Sequence, residues 1–90
     1  MRRLNKLTIG SKCVIYSVAS HDSIMKTTGI FRGFVALGED TSLSIELGEE
    51  HGELKGKIRL IPMGSIAAVD VIELAEEEEE EDEGEKIYYS

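Results

Sequence analysis

The alternation of apolar and polar residues predicts strands over much of the chain. Residues 41–47 read TSLSIEL, with an apolar side chain at every second position. A period of two is typical of a strand that buries one face. Residues 55–61 alternate in the same way, because Ile58 and Leu60 lie opposite two basic residues. Both segments are therefore predicted to be strands.

Three further strands are predicted from segments that are rich in β-branched residues and are bounded by turn residues. Residues 13–18 (CVIYSV) and residues 66–74 are compact runs that favour strands. Residues 24–37 form one long apolar segment that contains Gly29 and Gly33. Since glycine inside a strand often marks a bend or a close backbone approach, we expect this strand to be strongly curved.

The connections between these segments are short and polar. Residues 38–40, 48–52 and 62–65 carry turn residues, among them the only proline of the chain. Short connections favour antiparallel neighbours. Five curved strands in about 65 residues suit a small β-barrel, which removes most of the exposed sheet edge. A short helix is predicted over residues 1–8, where Leu4 and Leu7 share one face.

Charge divides the chain into a domain, residues 1–74, and an acidic tail, residues 75–90. The formal net charge is −8, but ten of the eighteen acids lie between Glu73 and Glu85. Residues 1–72 therefore hold eight acids against nine lysines and arginines. Because phosphate binding depends on local clusters of Lys and Arg, the net charge does not exclude nucleic acid as a ligand.

The composition predicts a soluble cytoplasmic protein. A single cysteine, Cys13, allows no intramolecular disulfide. The basic N-terminus is not followed by the apolar segment of a secretory signal, and no apolar run approaches the ~20 residues of a membrane span. The single core of a domain this small contributes only a few kcal/mol to the free energy of unfolding, so contacts between subunits would bury further apolar surface.

No catalytic or metal site is predicted. His21 and Asp22 are neighbours in a turn, and His51 stands among acids in a loop. A metal site requires three or four ligands that converge, and both segments are interpreted as surface loops. The sequence contains no nucleophile elbow and no phosphate-binding loop. An enzyme is therefore not expected, and neither is a cofactor.

Two spaced motifs carry a family resemblance. Gly29, Phe31 and Phe34 are followed by the strand 43–47, and residues 58–61 by Met63-Gly64 and an apolar strand. This pattern resembles the Sm-like (LSm) family over about residues 4–72. The resemblance implies a short N-terminal helix and five strongly bent antiparallel strands in a small barrel. Other SH3-like barrels share that pattern, so both remain open as the fold.

The resemblance also implies RNA as the usual ligand and a ring or dimer formed through edge strands. In the family, a Met-Asn pair and an Arg-Gly turn form a uridine pocket. Here Ser42 stands nearest the asparagine, and Met63-Gly64 replaces Arg-Gly. A hydroxyl cannot reproduce the paired donor and acceptor of an amide. Any RNA binding is therefore expected to be weak, salt-sensitive and not specific for uridine.

The candidate nucleic-acid-binding residues are basic side chains together with the pocket positions. They are Arg2, Arg3, Lys6, Ser42, Lys57, Arg59, Met63 and Gly64. The alternative for the basic residues is structural, because a charged helix face aids solubility and cations on an edge strand prevent unwanted pairing.

The acidic tail is a candidate site for a basic partner. Its residues are Glu76, Glu77, Glu78, Glu79, Glu80, Glu81, Asp82 and Glu83. A block of like charges repels itself and forms no core. The tail could instead compete with nucleic acid for the basic residues, gather divalent cations or simply aid solubility. The chain ends in Lys86-Ile87-Tyr88-Tyr89-Ser90, which has the character of a short docking motif.

Two functional hypotheses follow. The first is a non-catalytic Sm-like binding or assembly module that forms homo-oligomers through its edge strands and binds RNA weakly. The alternative is a protein–protein adaptor whose tail recruits a basic protein by electrostatic steering and which binds no nucleic acid. Neither hypothesis involves a membrane.

Overall fold

A computed structural model describes residues 6–76 and shows a mainly β protein, as predicted. Its strands are β1 (Lys12–Ser20), β2 (Ser23–Leu37), β3 (Asp40–Leu47), β4 (Ile58–Pro62) and β5 (Ile66–Glu73). Two 3-10 segments, Glu49–Leu54 and Met63–Ser65, precede and follow β4. Within residues 6–76, no helix has the length and apolar composition needed to cross a membrane.

The ends of the chain bear on two of the sequence predictions. Residues 1–5 and 77–90 lie outside the described residues, so most of the predicted N-terminal helix and nearly all of the acidic tail fall there. Residues 6–8, which complete the predicted helix, are not helical.

The five strands form one antiparallel sheet in the order β4-β3-β2-β1-β5. The central strand β2 is 15 residues long and pairs with β1 on one side and β3 on the other. The two pairings are offset along β2, since Lys26 lies opposite Tyr16 of β1 and Phe34 lies opposite Leu43 of β3. This arrangement leaves β4 and β5 at the two edges of the sheet.

Two glycines shape β2, Gly29 where the pairings with β1 and β3 overlap and Gly33 where β2 pairs with β3 alone. The register shifts between Phe31 and Gly33, and Gly33 has a φ of 111°, which disfavours any residue with a side chain. A bulge of this kind bends its strand. Gly29 is crowded instead, because a Cβ there would collide with the carbonyl oxygen of Glu46 and lie 2.8 Å from Ile45 Cγ2. The two glycines predicted to mark curvature thus act by different means.

The core is small and apolar. Its buried residues are Cys13, Ile15, Phe31, Leu43, Ile45, Leu47 and Ile61, against which Leu7 and Ile66 pack. The alternation in β3 correctly predicts that its three apolar residues share a buried face. The opposite face is also largely covered, because Ser42 and Ser44 are both buried. The Ser44 hydroxyl donates a 2.9 Å hydrogen bond to the carbonyl oxygen of Gly33, which satisfies this buried polar group.

The polar loop after β3 completes the sheet with a side chain. Strand β3 ends at Leu47, but Thr28 of β2 extends beyond it. The Thr28 carbonyl accepts a 3.0 Å hydrogen bond from the Gly48 N–H, and the Thr28 N–H donates a 2.9 Å bond to His51 Nε2. The His51 ring therefore takes the place of the missing strand residue as the acceptor for the Thr28 N–H.

Hydroxyl groups join the first described residues to the last. The buried Ser11 Oγ accepts a hydrogen bond from the Ala75 N–H at 2.9 Å, and Thr8 Oγ1 donates to the Ala75 carbonyl at 2.5 Å. The two hydroxyls lie 2.9 Å apart, which makes Ser11 the donor between them. The chain thus remains attached to the sheet through Ala75, one residue beyond the domain boundary predicted at residue 74.

We predict that Gly29→Ala destabilises the protein by at least about 2 kcal/mol, in the range of overpacked cores, because the added methyl group meets backbone that the paired β3 holds in place. Gly64→Ala is the matched control, since a Cβ there meets nothing within 4 Å, and it should change stability by no more than about 0.5 kcal/mol. Denaturant unfolding measures both variants. Equal midpoints for Gly29→Ala and Gly64→Ala would contradict the packing at Gly29.

Candidate functional site

The loops at one end of the sheet enclose an open cleft of about 620 Å³. Pairing of Ser42 with Pro62 brings the β2–β3 turn beside the β4–β5 turn. The lining residues are Val18, Glu39, Asp40, Thr41, Pro62, Met63, Gly64 and Ser65. Three predicted pocket positions, Ser42, Met63 and Gly64, therefore do lie close together.

This cleft has the wrong chemistry for phosphate. Its two charged lining residues, Glu39 and Asp40, are both acidic and repel a nucleic-acid backbone. Ser42 does not line it, since only 1% of its surface is exposed. Met63 is exposed and offers an apolar side chain where the family's turn would carry a cation. The sequence places Glu39 and Asp40 in the segment that stands where the family carries its Met-Asn pair, but their position beside Met63 depends on the pairing of β3 with β4.

The predicted basic residues occupy several places. Arg59 turns toward β2, where its Nη1 donates to Thr27 Oγ1 at 2.9 Å and to Met25 Sδ at 3.4 Å. Lys57 is exposed just before β4, and Lys6 lines a different groove. Arg2 and Arg3 lie outside the described residues.

Two other basic side chains form exposed ion pairs with acids. Lys55 Nζ lies 3.2 Å from Glu49 Oε2, and Arg32 Nη2 lies 2.8 Å from Glu46 Oε1. Lys55, Lys57 and Arg59 alternate along the sequence, but Lys55 is held by an acid in the turn and Arg59 is directed onto β2. Of the three, Lys57 alone is exposed without an ion pair or side-chain hydrogen bond among those found within residues 6–76.

A second groove, of about 570 Å³, lies between the first described residues and β2. Its lining residues are Lys6, Leu7, Thr8, Ile9, Phe31, Gly33, Phe34 and Glu76, and it is called the Phe34 groove below. Ile9 and Phe34 are 63% and 61% exposed. The Phe34 ring meets the buried Phe31 ring edge to face, with 5.3 Å between the centroids. In the sequence, Phe34 stands out only as a residue of the family motif, and no local pattern marks Ile9.

The edge strands expose apolar side chains. On β4, Ile58 and Leu60 are exposed while Ile61 is buried. On β5, Val69 and Ile72 are exposed. Alternation correctly placed Ile58 and Leu60 on one side of β4, but the core lies on the other side, which Ile61 shares with Arg59. An apolar pair on an edge strand is therefore turned away from the core of its own sheet.

The described residues hold little that resembles a catalytic or metal centre. Between residues 6 and 76, no group of three His, Cys, Asp or Glu side chains could hold a metal ion. His21 and Asp22 are exposed in the β1–β2 turn, and His51 Nε2 is bonded to β2. Burial raises the pKa of the Cys13 thiol above its ordinary value. A thiol that remains protonated is a poor nucleophile.

Comparison with known proteins supplies no relative. No protein-family model matches the chain, and no curated protein or solved structure matches it significantly.

We predict that Cys13 reacts with a thiol reagent at least about 100-fold more slowly in the folded protein than in denaturant, because labelling requires opening of the core and each 1.4 kcal/mol of opening is a factor of ten. Mass spectrometry of timed labelling measures both rates. Equal labelling rates in the two states would contradict the burial of Cys13.

Burial of Cys13 also makes the stability of the protein depend on pH. Since the folded state holds the thiol proton to higher pH than the unfolded chain, the free energy of unfolding should fall as pH rises above the ordinary thiol pKa.

Proposed function

We propose that the chain is a non-catalytic assembly module, an Sm-like small barrel that forms homo-oligomers when β4 of one copy pairs with β5 of the next. The observation that carries this proposal is that, within residues 6–76, no strand pairs with the outer side of either edge strand, and both expose apolar residues. It agrees with the family resemblance, which implies assembly through edge strands.

The backbone at an edge supports pairing. An edge strand presents a row of N–H and C=O groups that a second chain can satisfy. The edges formed by β4 and β5 are different surfaces, with strands of five and eight residues. Pairing between two different surfaces is head-to-tail, and it gives a ring when the rotation between subunits closes. The only proline, Pro62, ends β4 and interrupts the edge only at that point.

The exposed apolar side chains add a driving force. Ile58 and Leu60 on β4 and Val69 and Ile72 on β5 would lose contact with water in such a pairing. Burial of apolar surface contributes roughly 25 cal/mol per Å². The described part of the chain has seven buried apolar residues in its core, and so small a domain gains more from this burial than a large domain would.

RNA binding, in this proposal, is weak and secondary. Glu39 and Asp40 oppose phosphate in the cleft, Ser42 is buried, and Met63 carries no charge. Exposed Lys57 and the basic N-terminus, with Arg2 and Arg3, offer only general attraction to phosphate. Contacts of this kind position a nucleic acid without reading its sequence.

We predict that Ile72→Lys dissociates the oligomer, because a charge at the pairing edge must be desolvated. Ile24→Lys is the matched control, since Ile24 and Ile72 are both 57% exposed but Ile24 lies on β2, which the proposed pairing of β4 with β5 does not involve. Size-exclusion chromatography with light scattering should find a closed oligomer for the wild type and for Ile24→Lys, and monomers for Ile72→Lys. A wild-type protein that is monomeric at high concentration would overturn the assembly proposal and favour the adaptor.

We predict that oligo-U and oligo-A bind with similar, weak affinity that falls steeply between low and physiological salt, because only phosphate contacts are available. Fluorescence anisotropy with labelled oligonucleotides measures this. Deletion of residues 77–90 should raise both affinities if the acids compete with phosphate, and should leave them unchanged if the tail only aids solubility. Tight, uridine-selective binding at physiological salt would contradict the proposal.

A further inference from the structure

We propose that the C-terminal residues Ile87, Tyr88 and Tyr89 dock into the Phe34 groove of their own chain. This groove lies at the central strand and the N-terminal segment, so the inference goes beyond assembly through β4 and β5. It rests on the chemistry of the groove, on the place where the chain leaves the sheet and on the composition of the residues that follow.

The groove suits an apolar and aromatic occupant. Ile9 and Phe34 expose most of their side chains, and Leu7 and Phe31 form further apolar surface. The edge-to-face contact between Phe31 and Phe34 leaves Phe34 available for another ring. Aromatic pairs of this kind add about 0.5–1.5 kcal/mol beyond the burial of their area.

The chain leaves the sheet at the groove itself. Glu76, the last described residue, is one of the lining residues. Its neighbour Ala75 is held by Ser11 through the backbone N–H and by Thr8 through the carbonyl. The origin of the tail is therefore fixed at the rim, and the tail begins beside its proposed docking site.

The length of the tail fits a return to the groove. Ten residues, 77–86, separate Glu76 from Ile87. They span at most about 35 Å when extended, and repulsion between like charges favours the extended end of that range. A segment on so short a tether has an effective concentration in the millimolar range, so a weak contact suffices to hold it.

The charges favour the same arrangement. The linker is almost entirely acidic, whereas the chain that enters the groove from the other side carries Lys6 and, before it, Arg2 and Arg3. Attraction between the two segments directs the tail back to this face of the sheet. Ile87 is followed by Tyr88 and Tyr89, the two aromatic residues that come after β5 in the sequence. A tyrosine can bury its ring while its hydroxyl stays in water.

The experiment compares the full chain with a chain that ends at residue 85, by methyl and amide NMR. The Ile9 methyl and the amides of Gly33 and Phe34 should shift upon truncation, and the amides of Ser20 and Ser23, at the far turn, should not. The double variant Tyr88→Ser/Tyr89→Ser should reproduce the truncated spectrum at the groove. Unchanged groove signals in the truncated chain would overturn the proposal.

Two further samples test the groove and the tether. In the variant Phe34→Ser, truncation should no longer shift the Ile9 methyl signal. The exposure of Phe34 makes this variant compatible with folding. An undiminished shift would contradict docking at Phe34.

Labelled truncated chain mixed with unlabelled full chain should show no groove shifts if docking is within one chain. Shifts in that mixture would overturn the intrachain arrangement. All these readouts are independent of whether β4 pairs with β5, so failure here leaves the assembly proposal standing.

Discussion

The close approach of β3 to Gly29 is the constraint on which the rest of the structure depends. At this residue β2 pairs with Cys13 of β1 and with Leu47 of β3, so both halves of the sheet meet there. The backbone of Glu46 lies where a Cβ would stand. The bulge before Gly33 then changes the direction of β2 and keeps Phe31 in the core. If β3 moved away, the buried residues of both halves would lose their partners.

The same geometry explains why several large apolar side chains remain on the surface. One bent sheet without a covering helix among the described residues has a limited interior, which seven apolar side chains fill. The apolar residues that remain are on the edge strands and around the Phe34 groove. Exposed apolar patches of this kind mark sites of interaction. The two proposals assign them different occupants, a second copy at the edges and the chain's own C-terminus in the groove.

Local patterns predicted the elements but not every side-chain environment. The five strands, the single long β2 and the buried face of β3 follow from periodicity and glycine positions, because these signals act within a strand. The burial of Ser42, the bond between His51 and Thr28 and the contact of Arg59 with Thr27 did not follow. Each of these joins residues that are far apart in the sequence, and no local pattern encodes which strands become neighbours.

The sequence by itself determined the mainly β class, the number of strands and the division between a nearly neutral domain and an acidic tail. These properties depend on residue type and spacing along one chain. Only the tertiary structure decided that Glu39 and Asp40 line the cleft, that Ile58 and Leu60 face away from the core, and that the tail begins at the Phe34 groove. The physical reason is that strand order and register bring distant residues together, and a period of two fixes which residues share a face without fixing which face is buried.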